Sequence, residues 1–319
     1  MRIAVIILAS LLSLSATAAE LLVLNKGDAT LSFVDPASGV TAKTIATGDG
    51  PHEVELSDDG RLAFVSNYGA NVAGNTLSVI DVPGRVEIRR VDLGELRRPH
   101  GLSFSAGHVY FTSEASRRIA RFDPAAKRVD WQFDTAQEGT HMVLAARDGT
   151  KLFASNMGSD SIGIVARDAK DEWQQTLVSV GAGPEGLDES PDGRQLWTAH
   201  SRDGHVSVID VASAKVVHTF DAGTKRSNRL KFTRDGALVL ISDLGAGELV
   251  VIDVASRTQR ARLPLGLAPT GILIAPDGKE AYVAVSGANR IAVVDLGALK
   301  VSRTIETGKS PDGMAWRER

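Results

Sequence analysis

The stretch Val208-Ile209-Asp210-Val211 ends a short apolar strand and turns into the next one, and it recurs along the chain. Close copies are Val79-Ile80-Asp81-Val82, Val251-Ile252-Asp253-Val254 and Val293-Val294-Asp295-Leu296, and looser copies begin at Phe33, Arg121 and Ile164. The sequence therefore contains seven copies of one unit.

A second phrase precedes the apolar strand of each copy. It begins at Pro51, Pro99, Thr140, Pro184, Ser227, Pro269 and Pro311. Its second position, which we place just before the first strand of the unit, recurs at intervals of 48, 41, 44, 43, 42 and 42 residues. A fixed period in this range indicates an array, a solenoid or a propeller.

Each unit contains short runs of β-branched and aromatic residues bounded by turn residues, such as residues 63–66 and 76–80, a pattern that predicts strands. We label four strands per unit a to d, counting from the second phrase, and four antiparallel strands form a propeller blade. The last copy stops at Trp316 after strand a, whereas residues 21–24 and 31–34 supply strands b and c without an a. The sequence predicts an all-β fold, a single seven-bladed propeller whose last blade is closed by both termini.

The repeats resemble a known family. Residues 63–67 (Ala-Phe-Val-Ser-Asn), 152–156 and 281–284 are each followed by a Gly-containing loop and a strand like Val-Ile-Asp. They resemble the YVTN-repeat, YncE-like β-propellers of bacterial envelopes and, more distantly, lactonase- and lyase-type propellers. The resemblance covers nearly all of the chain after its first residues and implies the fold. It assigns no catalytic residue, because one propeller fold serves many activities.

The N-terminus and the composition give the expected location. Residues 1–19 contain one Arg, an apolar run and small residues at Ala16, Ala18 and Ala19, which is typical of a cleaved export signal. We predict a signal peptide at residues 1–19, a propeller at residues 20–319, a periplasmic or secreted location, no membrane span after cleavage, and a monomer. The absence of Cys excludes a covalent haem attached through Cys, and a net charge of -3 does not indicate nucleic-acid binding.

Two rings of side chains are expected around the channel on one face, where blade loops form concave sites. The ring between strands d and a is His52, His100, His141, Glu185, Asn228, Thr270 and Asp312. The ring at the end of each strand b is Asn25, Asn67, Glu114, Asn156, His200, Asp243 and Gly287. A small molecule or a protein partner is expected at this funnel.

The histidines leave two chemical interpretations open. His52, His100 and His141 occupy one position in successive units, so with Glu185 they are candidate ligands for a divalent metal. The same four residues are the catalytic candidates for general acid–base chemistry without a metal. Further candidate ligand-binding residues are Asn67, Tyr68, Glu114, Asn156, His200, Asn228, Arg229, Asp243 and Asp312.

Two functions therefore remain. The first is a propeller that holds a small ligand, a metal or a partner in its funnel without turnover. The alternative is a metal-assisted hydrolase or lyase acting on a lactone or a uronate-like sugar, with Arg229 holding its acidic group. The positions of the imidazole nitrogens distinguish the two functions, since a metal requires these nitrogens to lie about 2.0 to 2.2 Å from one point.

Overall fold

The computed structural model describes residues 19–318, so the predicted signal peptide lies, except for Ala19, outside the described residues. The described strands are, in chain order, β1 Glu20–Asn25, β2 Thr30–Val34, β3 Thr41–Ala46, β4 Pro51–Leu56, β5 Leu62–Asn67, β6 Thr76–Asp81, β7 Val86–Asp92, β8 Pro99–Ser105, β9 His108–Ser113, β10 Arg118–Asp123, β11 Arg128–Asp134, β12 Thr140–Ala145, β13 Lys151–Asn156, β14 Ser161–Arg167, β15 Trp173–Ser179, β16 Pro184–Glu189, β17 Gln195–His200, β18 His205–Asp210, β19 Lys215–Asp221, β20 Ser227–Phe232, β21 Leu238–Asp243, β22 Glu248–Asp253, β23 Thr258–Pro264, β24 Pro269–Ile274, β25 Glu280–Val285, β26 Arg290–Asp295, β27 Lys300–Glu306 and β28 Pro311–Arg317. Three short 3-10 turns interrupt this pattern at Lys26–Asp28, Glu114–Ser116 and Ser286–Ala288. Between residues 19 and 318 no helix has the length and apolar character needed to cross a bilayer.

The strands form seven four-stranded antiparallel sheets, as the repeat predicts. We number them blade 1 (β4–β7), blade 2 (β8–β11), blade 3 (β12–β15), blade 4 (β16–β19), blade 5 (β20–β23), blade 6 (β24–β27) and blade 7 (β28 with β1–β3). In blade 7 the C-terminal strand pairs with the first strand, with Leu21 opposite Trp316 and Val23 opposite Met314. This pairing closes the ring and confirms the predicted joining of the two termini, which leaves no free sheet edge between first and last blades.

Apolar side chains of strands b and c fill the spaces between blades. Phe64 and Leu77 of blade 1 pack with Leu102 and Phe111 of blade 2, and equivalent clusters recur around the ring. Full burial of a side chain such as Phe111, which is 0% exposed, contributes about 2 kcal/mol relative to an exposed one. Strand d forms the outer rim and is largely exposed, as in β19. Each strand a contacts the strands a of the neighbouring blades, so these seven strands line the central channel.

Every strand a carries a β-bulge at its start. In blade 1, Pro51 is paired with Asn67 and Val54 with Val65, so one residue of strand a is extra, and the other six blades show the same shift. The ring position is thus the second residue inside strand a, which corrects our placement of it before the strand. A bulge of this kind re-aims side chains, and here it affects the second and third residues of each phrase.

Candidate functional site

The aromatic side chains of blades 1 to 3 form a row around one side of the channel. Tyr68 packs against His52 at 4.6 Å between ring centroids, His52 against His100 at 4.9 Å, and His100 against His141 at 3.8 Å. The guanidinium of Arg98 lies 4.5 Å from the centre of the Tyr68 ring. Tyr68 therefore forms a wall of the funnel, and the imidazoles contact one another ring to ring.

The ring-to-ring packing of the three histidines determines whether they can bind one metal ion. Among residues 19–318, one group of three side chains has metal-donor atoms that all lie within 4.8 Å of one another. It consists of His108, Asp123 and Asp130, at the rim of blade 2. The three funnel histidines do not form such a group. In this arrangement their nitrogens do not converge on one point, whereas a zinc or copper site would need them to.

Burial keeps two of the imidazoles neutral. Loss of hydration lowers the pKa of His52 to about 4, with the hydrogen bond from its Nδ1 to the Gly50 carbonyl (2.9 Å) opposing the shift. Burial, reinforced by His141 and His52, holds the pKa of His100 well below its usual value. Both rings are therefore neutral at pH 7, each with one nitrogen free to accept a hydrogen bond.

His141 is held by a carboxylate. Its Nδ1 lies 3.1 Å from Glu114 Oε2, and the Tyr68 hydroxyl donates to the same oxygen at 3.2 Å. Burial raises the pKa of Glu114, but the hydrogen bond and charge interaction with His141 outweigh it, so the pKa lies below its usual value. A carboxylate on Nδ1 fixes the tautomer and leaves Nε2 as the acceptor. Such an imidazole can act as a general base.

Glu185 continues the ring from His141 into blade 4. Its Oε1 accepts a hydrogen bond from the Asn228 amide and lies 3.9 Å from both His141 Nε2 and Arg229 Nη1. Six buried atoms from the strands a that line the channel have no hydrogen-bond partner among the described residues: His100 Nδ1, His141 Nε2, Glu185 Oε2, Asn228 Oδ1, Arg229 Nη1 and Asp312 Oδ1. Buried polar atoms are nearly always paired, so this concentration marks the polar site.

Arg229 crosses the channel. It occupies the third position of its phrase, where blades 2, 4, 6 and 7 have Gly, and its guanidinium pairs with Glu53 at the same position of blade 1. Burial lowers the pKa of Arg229, but the charges of Glu53, Asp312 and Glu185 outweigh this effect and raise the pKa above its usual value. The side chains of Arg229 and Glu53 both line a cavity in the channel whose walls include none of the three histidines. We call this cavity the second compartment and the part of the channel with the histidines the histidine side. Sequence reasoning missed Glu53, although Glu53 and Arg229 are the two charged residues at that position.

Asp312 completes the ring from blade 7. It forms an ion pair with Lys26 at 3.1 Å and is 3% exposed. Burial raises the pKa of Asp312, but Lys26, His52 and Arg229 together lower it below its usual value. Thr270, the remaining ring residue, hydrogen-bonds to Ser286 and to the Pro311 carbonyl. The first ring thus brings all seven predicted residues to the channel.

The second ring differs from the prediction. Strand b ends at Ser113 in blade 2 and at Val285 in blade 6, so Glu114 and Gly287 are not the residues equivalent to Asn67. The side chains at the equivalent positions point into their own blades, because the strand pleat turns them away from the channel. Asn67 accepts a hydrogen bond from the Gly48 amide and donates to Thr76 and Ser78.

The other predicted members of this ring have similar partners. Asn25 bonds the Gly308 amide, Asn156 accepts from Thr140, His200 contacts Asp203, and Asp243 accepts from the amides of Lys225 and Arg226. These side chains fix their own blade, in most cases by holding the loop that enters strand a. We therefore leave Asn67, Asn156, His200 and Asp243 out of the candidate site.

Hydroxyl groups of strand b fix the ring positions themselves. The Ser66 hydroxyl accepts from the Glu53 amide and donates to the His100 carbonyl, and Thr112 links the Gly101 amide to the His141 carbonyl. Ser155 makes the same bridge to Glu185. Each hydroxyl thus joins the bulge of one blade to the ring residue of the next. The recurring Ser or Thr near the end of strand b was the available sequence signal.

These observations define the class of protein: a seven-bladed β-propeller with a buried polar site in its channel. Residues 2–123 match the YNCE-like beta-propeller family model, and residues 85–277 match the model of the cytochrome D1 heme domain. Because residues 85–277 are more than half of the chain, the chain belongs to the family of the cytochrome D1 heme domain, and its first part is similar to the YncE-like β-propellers.

The individual similarities are more distant. YncE of Salmonella typhimurium is 26% identical over 170 residues, 51% of this chain and 47% of its own length. The chain spans less than half the length of the relatives it matches in sequence. The periplasmic gluconolactonase PpgL of Pseudomonas aeruginosa has a TM-score of 0.76 at 21% identity, covering 93% of this chain and 98% of its own. The dihydro-heme d1 dehydrogenase NirN has a TM-score of 0.66 at 14% identity, covering 93% and 74%. These structures share the fold.

The cytochrome D1 family raises the question of haem. A tetrapyrrole needs apolar surfaces against its faces and cationic or neutral partners for its carboxylates. The deep funnel instead presents the carboxyl groups of Glu114, Glu185 and Asp312, and the imidazoles that could ligate iron are packed against one another at 3.8 and 4.9 Å. These residues do not fit a haem in the funnel.

Proposed function

We propose that the protein binds a small polyhydroxylated molecule, such as a sugar or a sugar lactone, on the histidine side of its channel. The observation that carries this proposal is the set of six unpaired buried atoms on the strands that line the channel, with Glu185 next to His141, Asn228 and Arg229. Leaving such atoms unpaired costs about 1 to 3 kcal/mol each. A ligand that pairs them recovers that free energy, which gives both affinity and specificity.

The kinds of atoms favour hydroxyl groups. Glu185 Oε2, Asn228 Oδ1 and Asp312 Oδ1 are acceptors and need donors from the ligand, whereas Arg229 Nη1 needs an acceptor. Hydroxyl groups supply both, and a lactone carbonyl suits Arg229. Tyr68 and the row of imidazoles form an aromatic wall beside these polar atoms. The gluconolactonase PpgL, which shares the fold, is named for an activity on this class of ligand.

The binding test uses isothermal titration calorimetry with D-glucose, D-glucuronate and fresh D-glucono-1,5-lactone. We expect saturable binding of at least one probe, loss of about tenfold or more in affinity in Glu185→Gln, and no loss in His218→Ala, which changes an exposed histidine of strand d. Absence of binding to all three probes at millimolar concentration, or equal affinity in Glu185→Gln, would contradict the proposal.

A hydrolase acting on the same ligands is the second candidate, and the Glu114–His141 pair favours it. Nε2 of His141 would take a proton from water as the water oxygen attacks the lactone carbonyl carbon. The ring C–O bond then breaks and the departing oxygen receives the proton, giving a hydroxy acid. Lactone consumption in a pH-stat should fall at least 100-fold in His141→Ala and stay unchanged in His218→Ala. A rate no higher than the uncatalysed one would leave binding alone.

We also propose that the protein is exported to the periplasm, as the N-terminal sequence supports. Fractionation of cells expressing the full chain, with N-terminal sequencing of the product, tests this. A mature N-terminus near Glu20 is expected, and an intact Met1 in the cytoplasmic fraction would contradict it.

A further inference from the structure

The second compartment of the channel is a cavity of about 310 Å³. Its walls come from the later residues of the seven strands a. They are mainly aliphatic, with Val54, Leu102, Val143, Leu187 and Ile272 among them, and Trp316 also lines it. This volume equals that of roughly ten water molecules. A cavity of this size with apolar walls and a few charged groups is typical of a binding site for a small organic molecule.

The cavity is lined by more cationic groups than carboxyl groups. Arg229 is paired with Glu53, which leaves Glu55, Lys231 and Arg234. Lys231 is only loosely held, with Nζ 3.6 Å from Asp188 Oδ1, and its side chain is 37% exposed. Arg234 is exposed and donates to the Ala275 carbonyl. One carboxyl group thus shares the cavity with two cations, of which Lys231 has Asp188 at 3.6 Å and Arg234 has no ion pair among the described residues.

We propose that this cavity is a second binding site, which takes a small monocarboxylate with an apolar chain. The chain would lie against the aliphatic walls, and the carboxylate would face Lys231, with Arg234 near it. A molecule of roughly ten non-hydrogen atoms, such as octanoate, fills the volume. This inference is independent of the proposed function, because Arg229 is the one residue assigned to both sites and the test below does not change it.

Glu55 gives the site a dependence on pH. Burial raises the pKa of Glu55 to about 7; Lys231 opposes the shift and Glu53 adds to it. The other charged groups lining the cavity are Arg229, whose charge is met by Glu53, and Arg234. Protonated Glu55 can donate a hydrogen bond to the ligand, whereas ionised Glu55 repels it. Binding of a carboxylate should therefore strengthen as the pH falls from 8 to 6.

The test is calorimetric titration of the folded full chain with octanoate, with 1-octanol as the uncharged comparison. We expect saturable octanoate binding that weakens about tenfold in Lys231→Met and is unchanged in Lys215→Met, which changes an exposed lysine on strand d. Val143→Phe, which fills the cavity, should abolish binding of both probes. Glu55→Gln should remove the dependence on pH.

Other results overturn the inference. These are no octanoate binding at millimolar concentration, or binding that neither Lys231→Met nor Val143→Phe reduces. A loss of octanoate binding in Glu185→Gln, which changes the other side of the channel, would also contradict it. Conversely, failure of the sugar probes to bind leaves the octanoate result unaffected, so the two proposals fail separately.

Discussion

Arg229 shows how one residue of a repeat acquires a role of its own. A long cation stands where four of the seven blades have Gly, and it reaches Glu53 on the far side of the channel. Because Arg229 is buried and the Glu53 side chain is only 17% exposed, each depends on the other to compensate much of its lost hydration. The pair therefore matters to stability.

Breaking this pair should be costly from either side. We predict that Arg229→Met and Glu53→Gln each lower the free energy of unfolding by about 3 kcal/mol, because each leaves a buried charged or polar group unpaired. The double variant should lose clearly less than the sum. Urea unfolding measures all three, with Arg226→Met as an exposed control. Strictly additive losses would mean that the pair does not interact.

His52 should make the fold sensitive to acid. Its pKa is about 4 in the folded protein because of burial, and about 6.5 in the unfolded chain. Between these values the unfolded chain binds the proton and the folded protein does not, so stability is complete above pH 6.5 and falls as the pH drops toward 4.

We expect this contribution to be about 2 to 3 kcal/mol, and His52→Gln should lose less stability between pH 7.5 and pH 4.5 than the wild type does. Glu55 acts in the opposite direction over part of this range, since its pKa is raised by burial to about 7, but it is common to both proteins. Urea unfolding at both pH values measures the difference. Equal pH dependence in the two proteins would contradict it.

In each blade, strand a provides the residues that line the site, and the end of strand b holds the loop that leads into strand a. The bulge after the first residue of each strand a directs the second and third residues toward the channel. The end of strand b fixes the entering loop, as Asn67 does for Gly48. The sequence predicted the strands and the first ring because their spacing is regular. It did not predict the bulge, since the extra residue is visible only in the pairing of strands.

The assignment of the second ring failed for a related reason. Asn67 and His52 are both polar and both lie at strand ends near one face, so their types do not distinguish a loop-holding side chain from a channel-lining one. The direction of the pleat decides it. Likewise, three histidines at one repeat position predicted a shared location correctly, but the ring-to-ring contacts at 4.9 and 3.8 Å depend on side-chain conformation.

The variant Asn67→Ala tests whether this side chain holds the loop or binds the ligand. Loss of three hydrogen bonds from a side chain that is 1% exposed should lower the free energy of unfolding by about 2 kcal/mol. Sugar binding at pH 7 should remain unchanged in the folded variant. Asn75→Ala, at an exposed hydrogen bond to Asp92, should cost less than about 0.5 kcal/mol. Loss of ligand affinity without loss of stability would restore Asn67 to the ligand site.

For the whole molecule, closure of the ring depends on one C-terminal strand. Removal of residues 311–319 deletes β28, exposes the pairing edge of β1 and removes Asp312 from the channel. We predict loss of cooperative unfolding and association into oligomers through the exposed edge, measured by circular dichroism and size-exclusion chromatography. Removal of residues 318–319 is the matched control. A monomeric, cooperatively unfolding truncation would show that six blades suffice.

The central claim is that the histidine side of the channel is a binding site for a polyhydroxylated molecule. The most direct measurement is a two-dimensional NMR titration that observes the imidazole nitrogens of the full chain as the sugar or lactone probe bound in calorimetry is added. We predict saturable shifts of His100 and His141 and none of the exposed His205 and His218. Shifts confined to the exposed histidines, or none at saturating ligand, would contradict the claim.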